Sequence, residues 1–270
     1  MPVDHYENFP VASILLPRPL RRPVELIYAF ARQADDFADE GDLPAARRLE
    51  LLEGFRRELR CIERGTAPQT SLFRDLAVIV AAHQLPLQLF HDLLDAFTQD
   101  VTKKRYADFN EVMAYCAKSA NPVGRLLLHL FRAASPRNLA YSDAICSSLQ
   151  LINFWQDVAV DYRMGRIYLP QDDMKRHQID ETQIAQGDSG GGWQSLMLFQ
   201  IERTRALLHS GTPLGRLLPG RMGLEIRMII AGGEAILRKL QGCRGDVFHQ
   251  RPVLQPADWP RMFYRAVFKI

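Results

Sequence analysis

Several features are scarce or absent in this chain of 270 residues. It has only four cysteines, far apart and without a C-x-x-C pair, which excludes a zinc ribbon or a secreted disulfide framework and favours a reducing cytoplasm. The 34 basic residues nearly balance the 31 acidic ones, which argues against a dedicated nucleic-acid binder. No apolar run approaches the ~20 residues that span a bilayer, and the N-terminus lacks a signal-peptide pattern, so we expect neither export nor a membrane span.

The glycine loops that bind nucleotides are missing as well. Without a G-x-x-x-x-G-K-[ST] loop, hydrolysis of a nucleoside triphosphate is not supported. Without a G-x-G-x-x-G motif after a strand, a nicotinamide cofactor is not expected.

Hydrophobic periodicity is helical almost everywhere. Segment 23–38 opens with Pro23 and carries Leu26, Phe30 and Ala34 at four-residue spacing. Similar patterns predict helices near residues 44–64, 71–83, 86–101, 108–118, 121–134, 138–162, 193–209 and 222–241. No window alternates as a strand does, and the breaks between helices are short. The sequence therefore predicts an all-α fold in which residues 1–270 form one domain.

Two of the predicted helices carry ladders of aspartates beside other polar side chains. One stripe of the first helix holds Tyr28, Arg32, Asp35 and Asp39, with Asp36 at its edge. The helix predicted near residues 138–162 carries Gln150, Asp157 and Asp161 on one face, with Asn153 just beside it, among apolar neighbours. A single D-D-x-x-D ladder is most often a solvated helix face. Two ladders on largely buried helices would need a cation to offset the repulsion between their charges.

If the two ladders face each other, they form a site whose ligands are all oxygen atoms. Magnesium prefers octahedral oxygen coordination and is usually held by one or two carboxylates together with substrate phosphate oxygens. The pattern therefore indicates a Mg²⁺ site for a substrate whose diphosphate is the leaving group. No protein counter-ion for the four carboxylates is evident in the sequence, so we expect turnover to require the metal.

These residues make the chain resemble the squalene/phytoene synthase family, all-α enzymes that join two prenyl diphosphates head to head. The resemblance extends over nearly the whole chain. Besides the two aspartate motifs, it includes ASILLP (12–17), TKKRYADF (102–109), NPVG (121–124) and GRIYLP (165–170). It implies an isoprenoid-synthase-type helical bundle with a central cavity, a long-chain prenyl diphosphate substrate and Mg²⁺ as the cofactor.

The resemblance also assigns roles to individual residues. It implies that the magnesium ions are anchored by Asp35, Asp39, Asp157 and Asp161, with Asp36 as a weaker ligand. It implies that the substrate is bound by Tyr28, Arg32, Tyr115, Gln150, Asn153, Arg166 and Tyr168.

Three departures from the family pattern remove charge or a hydroxyl group from the expected pocket. Tyr6-Glu7-Asn8 replaces Ser-Lys-Ser, Gln156 replaces an arginine, and Gly233 replaces a tyrosine. These changes favour the branch that ionises presqualene diphosphate and quenches the cation with water to give hydroxysqualene. We expect Gln156 to be catalytic by placing that water, because an amide both donates and accepts hydrogen bonds.

Other residues allow two interpretations. Aromatic side chains that either stabilise a carbocation or simply pack in the core are Phe9, Phe30, Phe37, Phe154 and Trp155. Asp100, Arg105 and Tyr106 form either a second polar patch facing the substrate or a solvated basic turn. The C-terminal WPRMFYRAVFKI (259–270) suits either a membrane interface or a terminal helix docked on the body.

The alternatives that remain open differ in class. One is a head-to-head condensation that yields presqualene diphosphate, dehydrosqualene or phytoene. Another is a non-catalytic family member acting in assembly, and a third is a magnesium-dependent nucleotide hydrolase. In each case we expect a cytoplasmic protein, with a peripheral contact at the inner face of the membrane as a further alternative.

Overall fold

A computed structural model describes residues 17–268, and within that range every regular element is an α-helix. The helices are α1 (Arg18–Asp39), α2 (Ala45–Glu63), α3 (Ser71–His83), α4 (Leu87–Thr102), α5 (Phe109–Ser119), α6 (Asn121–Leu130), α7 (Pro136–Arg163), α8 (Gln171–Arg176), α9 (Glu181–Gln186), α10 (Trp193–Ser210), α11 (Leu214–Leu217), α12 (Gly220–Gly242) and α13 (Asp258–Phe268). The prediction of an all-α fold is confirmed. No helix between residues 17 and 268 combines the length and apolar character needed to cross a membrane.

The apolar core consists of two clusters that share helices. One cluster is built mainly from α1 to α4, and the other mainly from α5, α7, α10 and α12. Helix α4 supplies Leu93 to the first and Ala96 to the second, and α6 likewise supplies Leu126 to the first and Leu128 to the second. Because α4 and α6 contribute to both clusters, the aspartate-bearing helices α1 and α7 are held against a common framework. That residues 1–270 form one domain stays a prediction.

An aromatic cluster fixes the orientation of α1. The ring of Phe30 packs against those of Phe55, Phe73 and Phe90 at centroid separations of 5.5, 5.8 and 5.2 Å. Phe30 is fully buried. Edge-to-face aromatic contacts of this kind add to the free energy gained by burial. Since Phe30 faces this cluster, core packing accounts for it, and the aspartates of α1 lie on another face.

The NPVG motif brings α6 close to α7. A Cβ atom at Gly124 would lie 2.6 Å from Cys146 Sγ and would also clash with Ser142 Oγ, so only glycine allows this approach. Beside it, the Ser147 hydroxyl donates a hydrogen bond of 2.8 Å to the buried Asn121 amide oxygen. The motif is thus explained by helix packing.

The predicted and observed helix boundaries differ by more than two residues at two places. Helix α1 begins at Arg18 rather than at Pro23, and Pro23 lies inside it at the cost of one backbone hydrogen bond. Helix α6 ends at Leu130 rather than near 134, because Arg132 takes a left-handed backbone conformation with φ of 55°. The short helices α8, α9 and α11 were not predicted, because 4 to 6 residues are too few to show a helical period.

Candidate active site

The first aspartate motif lies in the last two turns of α1 and is partly neutralised by an arginine of the same helix. Arg32 pairs with Asp36 at 2.8 Å, with Glu40 at 2.5 Å and more loosely with Asp35 at 3.4 Å. Burial and the negative charge of Asp39 nevertheless raise the pKa of Asp35. The arginine therefore leaves part of the negative charge of this motif uncompensated.

The GRIYLP segment connects the end of α7 to α1 through an arginine. Arg166 is buried, and its guanidinium group donates two hydrogen bonds, of 2.9 and 2.8 Å, to the two carboxylate oxygens of Asp39. The same guanidinium group lies 3.9 Å from an Asp100 oxygen. A bidentate arginine–carboxylate pair fixes geometry as well as charge. Arg166 thus holds the first aspartate motif against the chain that follows the second one.

Backbone hydrogen bonds place the TKKRYADF and GRIYLP segments side by side. The Ile167 amide donates to the Lys104 carbonyl oxygen at 3.0 Å, and the Gln171 amide donates to the Tyr106 carbonyl oxygen at 2.9 Å. Arg105 pairs with Glu181 at 2.6 Å and is not part of a polar patch around the aspartates. The two interpretations of this region therefore apply to different residues. Asp100 belongs to a buried polar patch, and Arg105 belongs to a basic turn.

Asp100 is a buried carboxylate held by two tyrosines. It accepts hydrogen bonds from the Tyr115 hydroxyl at 2.8 Å and from the Tyr168 hydroxyl at 3.0 Å. Burial raises the pKa of Asp100 to about 6, although the two hydrogen bonds and Arg166 act in the opposite direction. The tyrosine hydroxyls are therefore committed to a carboxylate, and direct contact of Tyr115 or Tyr168 with a substrate stays a prediction.

The second aspartate motif, on α7, has a counter-ion that comes from far along the chain. Arg251 donates hydrogen bonds of 2.5 and 2.9 Å to the two carboxylate oxygens of Asp157. Asp161 makes no ion pair within residues 17–268. Burial and the adjacent charge of Asp157 raise the pKa of Asp161 to about 8, and Asp39 and Asp100 contribute in the same direction.

These couplings bring the two aspartate motifs into one electrostatic neighbourhood. Asp39 on α1 and Asp100 on α4 both raise the pKa of Asp161 on α7, and both also raise that of Asp35. The geometric link is Arg166, which follows the end of α7, pairs with Asp39 and lies 3.9 Å from an Asp100 oxygen. No three carboxylates among the described residues already surround a single metal position.

The expectation that the carboxylates lack protein counter-ions is wrong. Arg166 pairs with Asp39, and Arg251 pairs with Asp157, each through two hydrogen bonds. The sequence did not reveal these partners because both arginines lie outside the helices that carry the aspartates.

The remaining donor set still fits magnesium. All the ligand candidates are carboxylate oxygens, the type that Mg²⁺ prefers. The raised pKa values of Asp35 and Asp161 indicate that the arginines leave negative charge uncompensated, which a divalent cation would offset. Asp36 faces Arg32, so its role as a ligand stays a prediction.

Gln156 occupies a different environment from the one expected for a residue that borders a cavity. It is 1% exposed, and its amide nitrogen donates a hydrogen bond to the Pro252 carbonyl oxygen. The neighbouring Arg251 pairs with Asp157. Gln156 and Asp157, consecutive residues of α7, thus both bind the irregular segment at 251–252. Gln156 therefore has a structural role, and its placing of a water molecule stays a prediction.

The other substrate-binding candidates lie on the same two helices as the aspartate motifs. Tyr28 on α1 and Gln150 and Asn153 on α7 are half-buried, as Arg32 is. Their roles stay predictions. Tyr6, Glu7, Asn8 and Phe9, like residues 12–16 of the ASILLP motif, lie outside the described residues.

The aromatic candidates separate into core and site. Trp155 is fully buried, and its indole N–H donates a 2.8 Å hydrogen bond to the Thr204 hydroxyl, so it belongs to the core. Phe37 packs on Phe55 in the cluster around α1. Phe154, in contrast, stacks on Tyr168 with centroids 3.8 Å apart and planes inclined by 6°. Phe154 is therefore the aromatic candidate nearest to the Asp100 cluster.

Gly233 serves helix packing. A Cβ atom there would lie 3.2 Å from the side chains of Ile152 and Leu208 and 3.3 Å from Leu149. Residue 233 is thus enclosed where α12 crosses α7 and α10, and a tyrosine at this place would displace core side chains.

Arg251 is the site residue that sequence reasoning missed. It lies in an irregular segment after α12, separated by 94 positions from its partner Asp157, and no local motif marks it. Asp100 enters the sequence prediction only as part of an alternative polar patch. The signal that could have identified it is its position seven residues after Leu93 and three after Phe97, on the buried face of α4.

Comparisons with known proteins identify the family and agree with the fold. Residues 3–258 match the family model described as squalene/phytoene synthase. The chain is 36% identical over 256 residues to a hydroxysqualene synthase of Rhodopseudomonas palustris, covering 94% of this chain and 85% of that protein. It is 40% identical over 240 residues to a hydroxysqualene synthase of Zymomonas mobilis, with coverages of 85% and 77%.

A solved structure extends this agreement to three dimensions. The crystal structure of the squalene synthase HpnC from Alicyclobacillus acidocaldarius superposes with a TM-score of 0.82 at 34% identity, covering 89% of this chain and 90% of that one. The chain belongs to the squalene/phytoene synthase family, whose members are enzymes of the prenyltransferase type.

Proposed function

We propose that the protein is a hydroxysqualene synthase, which converts presqualene diphosphate and water into hydroxysqualene and diphosphate. The observation that carries the proposal is that each aspartate motif pairs with an arginine from elsewhere in the chain, Asp39 with Arg166 and Asp157 with Arg251. The names of the relatives from Rhodopseudomonas palustris and Zymomonas mobilis support it.

The residues divide between metal and diphosphate. We assign Asp35, Asp39, Asp157 and Asp161 to magnesium, which when bound acts as a Lewis acid on the diphosphate oxygens. Arg166 and Arg251 present planar guanidinium groups that suit phosphate as well as carboxylate. With Asp39 and Asp157 holding a metal, Arg166 and Arg251 would be available to donate hydrogen bonds to the leaving diphosphate.

The reaction requires a cation to form and then to meet one water molecule. The carbon–oxygen bond to the diphosphate breaks, and its electron pair leaves with the diphosphate. The rearranged carbocation lies near the stacked rings of Phe154 and Tyr168, whose faces attract a desolvated cation with ~2 kcal/mol. A water oxygen then forms the new carbon–oxygen bond, and its second proton passes to solvent. No external reductant is needed.

The test uses purified protein and presqualene diphosphate, with and without Mg²⁺. We expect an alcohol that carries ¹⁸O when the reaction is run in labelled water, and no requirement for NADPH. An alcohol without label would reject hydration as the final step. Squalene formed with NADPH, or a condensed product formed from farnesyl diphosphate alone, would instead support one of the condensing members of the family.

A further inference from the structure

Helix α13 exposes an apolar face on the outside of the protein. Its buried residues, Met262 and Ala266, pack toward α12. The exposed fractions of its outward apolar residues are 44% for Trp259, 54% for Phe263, 43% for Val267 and 70% for Phe268. At 100° per residue these side chains cover about 180° of the helix surface. So large an exposed aromatic fraction on one short helix calls for a partner.

Arginines without ion pairs border this face. Arg261 and Arg265 follow one edge of α13, and Arg238 lies beside them on α12. Burial and the charges of Arg265 and Arg261 lower the pKa of Arg238, which shows that the three cations are close together. None of the three forms an ion pair within the described part of the chain, and the nearby Asp258 is occupied by Lys239 at 2.7 Å.

Two cavities beside α13 are also lined by cations. Arg265 lines a cavity of about 500 Å³ together with Arg137 and Arg216. Arg238 and Arg261 line a second cavity of about 200 Å³. Each cavity also has one carboxylate in its lining, Glu234 in the first and Asp258 in the second, and these carboxylates are paired with Arg205 and Lys239. The arginines therefore leave space for an anionic group next to the apolar face.

We propose that α13 docks the protein on the surface of an anionic phospholipid bilayer. Trp259, Phe263 and Phe268 would enter the interface, and Arg261 and Arg265 would face the headgroups. Aromatic rings at the headgroup level beside basic residues are typical of helices that lie on membranes.

The size of the face favours a bilayer over a second protein chain. A helix of eleven residues is about 16 Å long, and its outward face carries only a few apolar side chains. A standard protein interface buries about 800 Å² on each partner. A bilayer requires no such area, because insertion of a few aromatic anchors and the attraction between arginines and lipid phosphates act together.

One further argument rests on the proposed function. A C30 prenyl diphosphate and a C30 alcohol both partition into membranes, so docking would place the enzyme next to its substrate. Binding to vesicles is measured without substrate, and turnover is measured in detergent micelles. The two proposals can therefore fail separately.

The tryptophans make the binding measurable. Of the three in the chain, Trp155 and Trp193 are fully buried, and Trp259 is 44% exposed. With vesicles of phosphatidylcholine containing 30% phosphatidylglycerol, we expect cosedimentation, a blue shift of the Trp259 emission and quenching by brominated lipid. Pure phosphatidylcholine vesicles should bind at least about tenfold more weakly. Equal binding to both vesicle types, or absence of quenching, would overturn the proposal.

Paired variants separate the contributions of charge and apolar contact. Arg261→Gln with Arg265→Gln should weaken binding to the anionic vesicles about 25-fold, at about fivefold for each arginine. Phe263→Ser with Phe268→Ser should weaken it at least about tenfold.

Matched controls lie on distant helices. Val78→Ser removes a 68% exposed apolar side chain from α3, and Arg57→Gln with Arg64→Gln removes two exposed charges from the region of α2. We expect wild-type binding from both. Circular dichroism checks that each variant is folded. If the α13 variants bind like wild type, or if they dissociate a dimer seen by light scattering, the bilayer is not the partner.

Discussion

Asp161→Asn should make the metal-free protein more stable above neutral pH, although it removes a carboxylate assigned to magnesium. In the folded protein, burial and Asp157 raise the pKa of Asp161 from 3.8 to about 8. Between these two pH values the unfolded chain releases the proton while the folded protein retains it. The free energy of unfolding of the wild type therefore falls as pH rises, and asparagine removes this loss.

The size of this stability difference follows from the interval between the two pKa values of Asp161. The difference between pKa values of 3.8 and about 8 corresponds to roughly 6 kcal/mol at about 1.4 kcal/mol per pKa unit. Because Asp161 is only partly buried, solvent screening reduces the effect. We expect the variant to exceed the wild type by about 2 kcal/mol at pH 8 and by less at pH 5.

Urea unfolding in EDTA at pH 5 and pH 8 measures this difference. Asp42→Asn changes an exposed loop carboxylate in the same way and should leave the free energy of unfolding unchanged at both pH values. Mg²⁺ with inorganic diphosphate should raise the stability of the wild type more than that of Asp161→Asn. A variant that is no more stable than the wild type at pH 8 would refute the view that Asp161 carries an uncompensated charge.

Three further predictions concern activity and packing. EDTA should abolish turnover, and Asp157→Asn should lower kcat at least about a hundredfold, whereas loss of the ion pair with Arg251 should lower the melting temperature only moderately; retention of full activity would exclude Asp157 from the site. Gly124→Ala should lower the free energy of unfolding by about 1–3 kcal/mol, because its Cβ would clash with side chains of α7; chemical denaturation tests this, and a stability equal to wild type would show that α6 can move away. Gln156→Leu should raise the proportion of hydrocarbon over alcohol among the products. An unchanged ratio together with a loss of about 1 kcal/mol in the free energy of unfolding would show that Gln156 acts only through its hydrogen bond to Pro252.

The helices were predictable because their apolar faces repeat. Leu26, Phe30 and Ala34 are all buried in the core, as their four-residue spacing predicts. Helix α7 was predictable despite being buried on more than one face, since its apolar run is too long for a strand. The short helices that follow it gave no such signal.

The sequence predicts which candidate site residues share a helix, but it does not predict their ion-pair partners from elsewhere in the chain. The spacing of Asp157 and Asp161 places them on one face of α7, whatever the rest of the chain does. Arg251 reaches Asp157 only because the chain after α12 folds back over α7. Such a contact depends on tertiary packing between residues 94 positions apart, and no local pattern encodes it.

The arrangement of charges suggests why two arginines stand beside residues assigned to a metal. Arg166 neutralises Asp39 of the first motif and Arg251 neutralises Asp157 of the second, each through two hydrogen bonds, so part of the negative charge is offset without a bound cation. Asp35 and Asp161 have raised pKa values, so a cation bound beside them would lower the electrostatic free energy more than a cation bound elsewhere in the site. A magnesium–diphosphate complex would place positive charge beside Asp35 and Asp161. Its phosphate oxygens would accept hydrogen bonds from Arg166 and Arg251. Neither the metal nor the diphosphate alone would do both, and binding of the two should therefore be mutually dependent.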